Sequence, residues 1–368
     1  MSFEVRIHRI EVFGHPNADA LELAQVGLFR AVVRKGDYVT GDYALYIPEA
    51  AVLPDPLIEE LGLTGRLAGA AKNRVKAVRL RGELSQGIVC RPGRVTESNC
   101  IKGDWVNAIP GDELIDWADT LGIHKYEPPI PVYLAGKVRP QTRLLPWGDI
   151  ENIKKRPDMF TPGEMVYATE KIHGTCCLVT WDNEAKELLV SSKGLAKQGL
   201  CLQRDETNTY WRAVIAAGVE EVLRDMADRY DATRIALFGE VYGAGIQDLA
   251  YGHKGDEGPQ FRAFDLCIEE DGDTWWAATR DMETLFAAFP PNGGPHIRTV
   301  PVLYEGHYDY DTIAHMAGGT TVVGRGAHIR EGVVVRPVPE RRDRNGRVIA
   351  KFINPDYLVR KGDTTEFE

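Results

Sequence analysis

The hexapeptide Glu170-Lys171-Ile172-His173-Gly174-Thr175 places a lysine and a glycine between two apolar runs. The run before it (Met165-Val166-Tyr167) and the run after it (Cys176-Cys177-Leu178-Val179) both have β-strand composition. The glycine permits a tight turn or a close backbone approach to a ligand. A partly desolvated lysine at a strand end can lose its proton and attack an electrophile. The hexapeptide therefore predicts a candidate nucleophile, although a lysine in this position is more often a solvated edge residue.

Five further strand-like segments follow in order, each with one or two polar residues in apolar surroundings. They are residues 189–194 (LVSSKG), 237–243 (LFGEVYG), 261–265 (FRAFD), 331–336 (EGVVVR) and 349–352 (IAKF). The ordered set resembles motifs I, Ia, III, IIIa, IV and V of covalent nucleotidyltransferases, the superfamily of ATP-dependent ligases and mRNA capping enzymes. The KxHG form of motif I, the SSKG sequence and Tyr126-Glu127-Pro128-Pro129-Ile130-Pro131 are most similar to Deinococcus-type ATP-dependent RNA ligases.

This resemblance implies an α+β chain in which an N-terminal OB-fold β-barrel precedes a nucleotidyltransferase domain. Strands and helices do not alternate as βαβ units, which also favours α+β. The implied activity is the joining of 3′-OH and 5′-phosphate RNA ends through a lysyl-adenylate and an adenylylated 5′ end. ATP and Mg²⁺ or Mn²⁺ are the implied cofactors, and RNA is the partner, with a nicked duplex as one candidate form.

The resemblance also assigns roles to charged residues. Lys171 would be the adenylylated nucleophile, and Lys351 would neutralise charge on the α-phosphate. Glu331 would act at the metal or at the lysine, and Glu240 near the ribose or the metal. Lys193 would contact the ribose or a phosphate. Glu170, His173 and Gly174 are further candidate nucleotide-binding residues.

Two features of the motifs leave questions open. Phe261 and Phe264 are three residues apart, so in a regular strand at most one faces the nucleotide, and we favour Phe261 for stacking on adenine. Most relatives have KxDG where this chain has His173, and a neutral imidazole cannot supply the negative charge of an aspartate. Relatives also often have a second lysine at motif V, where this chain has Ile349. The additional cation would then be Lys193 or Arg336.

Composition bounds the class of protein. At 368 residues the chain is long enough for two domains. No apolar run approaches the roughly 18 residues of a spanning helix, and the sequence begins without an apolar signal core. The six cysteines form no CxxC pair and no zinc-like spacing with histidine. We therefore expect free thiols, no membrane association and a cytoplasmic location.

Charge is unevenly distributed along the chain. The net charge of −10 argues against nonspecific coating of nucleic acid. Residues 1–110 nevertheless hold 14 Lys and Arg against 13 Asp and Glu. Residues 66–81, the basic stripe, contain no acid and six basic residues, namely Arg66, Lys72, Arg74, Lys76, Arg79 and Arg81. The stripe is a candidate phosphate-binding surface, with Arg74, Lys76 and Arg79 as the RNA-binding candidates. A solvated face is the alternative.

Turn signals divide the chain into three parts: an OB-fold RNA-binding domain (1–110), a proline-punctuated connecting segment (111–160) and a nucleotidyltransferase domain (161–368). In the first part we predict strands at 5–13, 21–26, 30–33, 43–47, 75–80 and 87–90. His15-Pro16-Asn17 reads as a turn and resembles a signature of tRNA-binding OB folds. In the last part, apolar periodicity predicts helices at about 209–230, 280–288 and 311–317.

Two alternatives remain. A DNA ligase or capping enzyme normally carries an OB domain after motif V, whereas seven residues follow Lys361 here. A non-catalytic RNA-binding protein could use the same scaffold. The joint presence of Lys171, Glu240, Glu331 and Lys351 argues against that reading.

Overall fold

The computed structural model describes residues 3–96, 115–126, 137–145, 148–289, 296–324 and 328–360. They divide into two compact units. The first lies within residues 1–128, 152–157 and 358–368, and the second within residues 129–151 and 158–357. This division differs from the boundaries predicted at 110 and 160. Of the predicted peptide 126–131, only Tyr126 lies within the described residues, and Cys100 lies outside them.

The predicted connecting segment (111–160) contributes to both units, because different parts of it bond to different units. Its residues 138–140 form a strand that pairs with Leu200–Leu202 of the second unit. Lys154, further along, donates a 2.8 Å hydrogen bond from Nζ to Gln86 Oε1 inside the first unit. Backbone pairing and a buried polar contact thus tie the segment to the units at its two ends.

The first unit consists mainly of short antiparallel strands. Its strands are β1 (Arg6–Arg9), β2 (Glu11–Gly14), β3 (Leu21–Val26), β4 (Phe29–Arg34), β5 (Tyr43–Ile47), β6 (Ala51–Val52), β7 (Val78–Leu80), β8 (Glu83–Ser85), β9 (Ile88–Cys90) and β10 (His124–Lys125). Its helices are α1 (Asp55–Glu60), α2 (Gly93–Thr96) and α3 (Ala118–Leu121). The sheets have the orders β1-β5-β9, β2-β3-β4, β6-β10 and β7-β8.

The predicted strand 5–13 is two strands in the structure. β1 pairs with β5, whereas β2 pairs with β3. Between them Ile10 is fully buried, and its backbone bonds to Asp42 and Gly41. A chain that passes from one sheet to another must bend between them, and this bend separates β1 from β2. The predicted strand 75–80 is likewise shorter, because only Val78–Leu80 pairs, with β8.

The second unit and the segments leading into it hold the remaining elements. The strands are β11 (Val138–Pro140), β12 (Glu151–Asn152), β13 (Met165–Lys171), β14 (Thr175–Asp182), β15 (Glu187–Ser192), β16 (Leu200–Leu202), β17 (Arg234–Tyr242), β18 (Gln260–Glu270), β19 (Asp273–Trp276), β20 (Arg298–Thr299), β21 (Val302–His307), β22 (Gly332–Pro337), β23 (Arg342–Asp343), β24 (Gly346–Arg347) and β25 (Ala350–Ile353). The α-helices are α4 (Lys193–Lys197), α5 (Thr209–Ala216), α6 (Val219–Tyr230), α7 (Thr279–Ala288), α8 (Tyr310–Ala317) and α9 (Pro355–Leu358). Two short 3₁₀ helices span Ile153–Lys155 and Gly255–Glu257.

Two large sheets organise the second unit. One has the order β11-β16-β15-β14-β17-β18-β19, with β20 parallel to β18, and the other contains the order β25-β22-β13-β21. Helices α5, α6 and α7 pack on one face of the first sheet, where Trp211, Val222 and Met226 join Leu237 and Leu266 in a hydrophobic core. The mostly antiparallel pairing and the segregated helices confirm the α+β prediction.

The prediction of a single helix at 209–230 is wrong, because the structure has two helices in this range. Gly218 lies between α5 and α6 with a left-handed backbone (φ 66°). Glycine reaches this conformation without a Cβ penalty, so the chain can change direction while the apolar stripe continues into the same core. The helices predicted at 280–288 and 311–317 are present, each beginning one residue earlier than expected.

Five cysteines lie within the described residues, and they form no disulfide with one another. Among the helices of the described ranges, none has the length and apolar character required to span a membrane.

Candidate active site

Lys171 ends strand β13 beside a buried carboxylate. Its Nζ lies 2.9 Å from Glu331 Oε1, with 18% of the lysine side chain and 1% of the glutamate side chain exposed. Glu331 immediately precedes β22, and Gly332 is the register partner of Lys171. The pairing of β13 with β22 therefore brings together two residues that are 160 positions apart in sequence.

Lys351 lies on the same face of this sheet as Lys171. Thr169 pairs with Val334 across β13 and β22, and Val334 pairs with Lys351 across β22 and β25. Directly opposed residues point to the same face, and residues two apart in one strand share it. The structure thus places the two lysines of motifs I and V on one face, separated by β22.

Gly174 allows the turn after Lys171 to approach strand β17. A Cβ at this position would clash with the carbonyl oxygen of Val241 and crowd the side chains of Glu240 and Tyr242. The absence of a side chain therefore brings the motif I turn against the strand that carries Glu240. This is a packing requirement, which the sequence had predicted as a turn or a close backbone approach.

The structure places Phe264, and not the favoured Phe261, on the side of motif I. Phe261 is buried in the helix-side core, where its ring occupies the space beside Gly239. Phe264 lies at a β-bulge, since Phe238 pairs with Asp265 and Gly239 pairs with Ala263. A bulge changes the direction in which side chains point. Phe264 packs against two hydrophobic clusters, one containing Phe238 and the other containing Ile172. Phe264 is therefore the aromatic residue of this motif on the side of motif I.

Glu170, a predicted nucleotide-binding residue, faces away from the side chain of Lys171. Glu170 alternates with Lys171 in β13 and pairs with Val333, so its side chain lies on the opposite face. Its carboxylate accepts hydrogen bonds from the Thr321 hydroxyl and from the backbone N–H of Val322 at 3.0 Å. The structure therefore does not bring the Glu170 side chain together with that of Lys171.

Arg336 is also unsuited to be the second cation of motif V. It is 1% exposed and donates to Asp265 at 3.1 Å and to the carbonyl oxygen of Phe264 at 3.1 Å. A buried guanidinium that is paired with a carboxylate in this way is not available to bind a phosphate. Lys193, the other candidate, begins helix α4 and lies 2.6 Å from Asp149 Oδ1 with about a third of its side chain exposed.

His173 is enclosed and hydrogen-bonded on three sides. Its Nε2 lies 2.8 Å from Asp248 Oδ1, and its Nδ1 lies 2.8 Å from the Tyr357 hydroxyl. Its backbone N–H donates to the Tyr251 hydroxyl at 2.6 Å. Burial raises the pKa of Tyr251, and the negative charges of Glu331, Glu170 and Glu240 raise it further. Tyr251 therefore remains a neutral hydroxyl at physiological pH.

The carboxylates fit a divalent cation only in part. Within the described ranges, no group of three or more His, Cys, Asp and Glu side chains is arranged to hold a metal ion. Mg²⁺ commonly binds through one or two carboxylates together with substrate phosphates and water. Glu331 and Glu240 remain the predicted carboxylate ligands of such a smaller donor set.

The basic stripe of the first unit is largely exposed. Arg66, Lys72, Arg79 and Arg81 lie at the surface. The Arg74 guanidinium lies 4.3 Å from the ring centroid of Tyr126, and Arg79 donates to the carbonyl oxygen of Gly82 at 2.9 Å. Four of the six basic side chains are thus accessible to a ligand, whereas Arg74 and Lys76 are half-buried.

The His15-Pro16-Asn17 turn has a second role that the sequence did not indicate. His15 Nδ1 accepts from the backbone N–H of Asn17 at 3.1 Å, so Nε2 carries the hydrogen that is donated to Leu80 O at 3.1 Å. Asn17 donates to Arg81 O at 3.2 Å. The turn therefore anchors the β7–β8 hairpin, which carries Arg79.

Sequence reasoning missed Asp248, Tyr251 and Tyr357. Tyr357 follows Asn354-Pro355, a helix-start signal that could have drawn attention to the segment after motif V. Asp248 and Tyr251 lie outside the helices and strands, and no sequence pattern marks them.

The OB-like unit of short strands, and the lysine–carboxylate pair at the ends of the interior strands β13 and β22, are the arrangement expected of a nucleotidyltransferase-type ligase. Residues 164–353 match the RNA ligase family, and residues 5–92 match an OB-fold domain family. The chain belongs to the RNA ligase family. No curated protein has a matching sequence.

Solved structures of an RNA ligase from Naegleria gruberi have the same fold. The structure with pyrophosphate is 21% identical, has a TM-score of 0.75, and covers 97% of this chain and 98% of that chain. A variant with ATP and manganese is 22% identical with the same TM-score and coverage. A variant with AMP and manganese is 21% identical with a TM-score of 0.76 and again the same coverage.

Proposed function

We propose that this chain is a cytoplasmic, Deinococcus-type ATP-dependent RNA ligase that joins 3′-OH and 5′-phosphate ends. The observation that carries the proposal is the pairing of Lys171 Nζ with Glu331 Oε1 at 2.9 Å, with Lys351 on the same sheet face. Membership of the RNA ligase family supports RNA as the substrate. The Naegleria ligase structures with ATP, AMP, pyrophosphate and manganese support the nucleotide and the metal. The His173 form of motif I supports the Deinococcus type.

The first step would transfer AMP to the enzyme. The neutral amine of Lys171 attacks the α-phosphorus of ATP, a P–N bond forms, and the bond to the bridging oxygen breaks so that pyrophosphate leaves with the electron pair. The amine gives up one proton, and Glu331, its hydrogen-bond partner, is placed to accept it. Lys351 would neutralise charge on the α-phosphate, since phosphoryl transfer depends mainly on positioning and electrostatics.

Two further transfers would complete ligation. A 5′-phosphate oxygen attacks the adenylate phosphorus and displaces Lys171, which regains a proton. The 3′-OH then attacks the 5′-phosphorus, loses its proton and displaces AMP. The basic stripe supports RNA binding in the first unit, and a nicked duplex is one form in which both ends are held together.

The remaining residues would hold the nucleotide. Phe264 would stack on adenine, Glu240 would contact the ribose or the metal, and Lys193 would contact the ribose or a phosphate. Mg²⁺ or Mn²⁺, held by Glu331 and Glu240, would supply charge neutralisation for the triphosphate.

The test is incubation with α-labelled ATP and Mg²⁺ or Mn²⁺, followed by denaturing electrophoresis. We expect a labelled protein that loses its label in acid, as a phosphoramidate does, and no labelling of Lys171→Ala. Lys197→Ala is a matched control, because this lysine pairs with Asp149 and not with Glu331. A labelled protein should also seal RNA with 3′-OH and 5′-phosphate ends.

Each other outcome has a definite meaning. Labelling of Lys171→Ala would refute the nucleophile assignment. Preferential labelling by GTP would indicate capping activity, and sealing of DNA alone would indicate a DNA ligase. RNA binding without any labelling would support a non-catalytic RNA-binding protein.

A further inference from the structure

The imidazole of His173 has no exposed surface and uses both ring nitrogens within the protein. Asp248 lies 2.8 Å from Nε2 and the Tyr357 hydroxyl lies 2.8 Å from Nδ1. A carboxylate only accepts hydrogen bonds, so Nε2 carries the hydrogen of the first contact. Nδ1 and the tyrosine hydroxyl share the hydrogen of the second. Neither nitrogen is therefore left to ligate a metal ion.

Tyr357 is held in place by the backbone around Glu331. It lies in α9, which follows Asn354. The backbone N–H of Asn354 donates to Glu331 O at 2.9 Å, and its side-chain amide donates to Arg330 O at 2.9 Å. The Asn354 side chain also accepts from the N–H of Asp356 at 3.0 Å. The position of Tyr357 is thereby coupled to the position of Glu331.

Asp248 belongs to a segment that contacts the motif I turn at three points. Gln247 donates to Gly174 O at 3.4 Å, Asp248 meets the imidazole, and the Tyr251 hydroxyl accepts from the backbone N–H of His173. His173 Nδ1 lies 4.0 Å from Glu331 Oε2. The imidazole thus lies between the Asp248 segment and the Glu331–Tyr357 segment.

We propose that Asp248 and Tyr357 are positioning residues for lysine adenylylation, which act by fixing the orientation of the His173 imidazole. The fixed ring sets the motif I turn against Glu331, so that the Lys171 amine and the Glu331 carboxylate keep the geometry needed for attack. In this chain a carboxylate–imidazole–hydroxyl chain stands where relatives have an aspartate. The inference rests on the proposed adenylylation of Lys171.

The experiment measures single-turnover adenylylation by α-labelled ATP in the full chain. Asp248→Asn and Tyr357→Phe each remove one hydrogen-bonding group at nearly constant volume. Loss of one such bond should slow the rate constant by about tenfold, with little change in the ATP concentration that gives half the maximal rate. Asp248→Glu should recover part of the rate. Asp228→Asn and Tyr304→Phe, whose polar groups bond elsewhere, should behave as wild type.

The decisive measurement is a double-mutant cycle. In a His173→Ala background, Asp248→Asn and Tyr357→Phe should cause no further loss, because both act through the imidazole. If His173→Ala does not fold, as judged by thermal unfolding, the Asp248→Asn/Tyr357→Phe double variant replaces it and should lose less than the product of the single losses.

Multiplicative losses, or wild-type rates in both single variants, would overturn the inference. A rise in the half-saturating ATP concentration at an unchanged rate constant would also overturn it, because that result indicates direct ATP binding. Failure of the wild-type chain to label would instead refute the proposed function.

Discussion

Positive charge is held differently at Lys171 and in the basic stripe. Lys171 is mostly enclosed and bonds to a carboxylate that is itself 1% exposed. Arg66, Lys72, Arg79 and Arg81 of the stripe extend into solvent. An enclosed charge interacts strongly and depends on exact placement, whereas an exposed charge is screened by salt. Mutations near Lys171 should therefore produce large, specific losses, and mutations in the stripe should produce graded, salt-dependent ones.

The largest expected effect is at Glu331. Glu331→Gln keeps the shape of the side chain but removes the charge beside Lys171. We expect adenylylation to fall on the order of 10²–10³-fold while RNA affinity stays unchanged, as measured by labelling and by filter binding. Glu305→Gln is a control, because this glutamate pairs with exposed Arg280. Near-normal labelling by Glu331→Gln would contradict the role of Glu331. It would also show that the enclosed charge at Lys171 is no more sensitive to mutation than the exposed charges of the stripe.

The stripe should respond to charge and salt. In the full chain, changing Arg74, Lys76 and Arg79 together to Glu should weaken RNA binding on the order of 10²-fold at low salt. The slope of log affinity against log salt should also become shallower by about 2–3. Adenylylation in the absence of RNA should not change. Binding titrations at several salt concentrations measure the first two effects, and the labelling assay measures the third.

The matched control reverses three exposed charges elsewhere, at Lys186, Arg224 and Arg229. This control has the same change in net charge but should leave RNA affinity nearly unchanged. Equal losses in both triple variants would show that net charge, and not the stripe, governs RNA binding. Thermal unfolding must also show that both variants are folded.

His173 provides a further test of enclosed against exposed charge, because its side chain has no exposed surface. His173→Asp would place a carboxylate opposite Asp248, so we expect a loss of adenylylation of about thirtyfold from like-charge repulsion. His173→Asn preserves one hydrogen bond and should lose only about tenfold. Mg²⁺ and Mn²⁺ titrations of both variants provide the test. A lower metal requirement with retained activity in His173→Asp would instead support a metal role for this position.

The smallest effect should come from Asp149, which lies near the surface. Burial alone would raise the pKa of its carboxyl, but the ammonium groups of Lys193 and Lys197 outweigh burial and hold the pKa well below its usual range. The stabilisation is therefore present above about pH 4 and is lost as pH falls through the lower folded-state pKa. Asp149→Asn should reduce the free energy of unfolding at pH 7 by less than about 1 kcal/mol. Urea unfolding of both proteins at pH 7 and at low pH should show the difference shrinking in acid.

Local patterns were sufficient for much of the fold. Strands β3 and β5 begin and end at the predicted residues, and helices α7 and α8 begin within one residue of the prediction. Alternation and turn signals report short-range conformational preferences, so they find such elements well. The break at Gly218 was missed because a continuous apolar stripe does not reveal a change of direction.

Pairing between strands distant in sequence determined which side chains meet at the candidate active site. The sequence by itself determined the candidate nucleophile Lys171, the motif order, the two kinds of domain and the family. Only the tertiary structure placed Glu331 beside Lys171, turned Glu170 away from it, and directed Phe264 towards motif I through a bulge. It also enclosed His173 between Asp248 and Tyr357. The physical reason is that facing direction and contact depend on strand register and on partners distant in sequence, whereas motif identity depends on neighbouring residues alone.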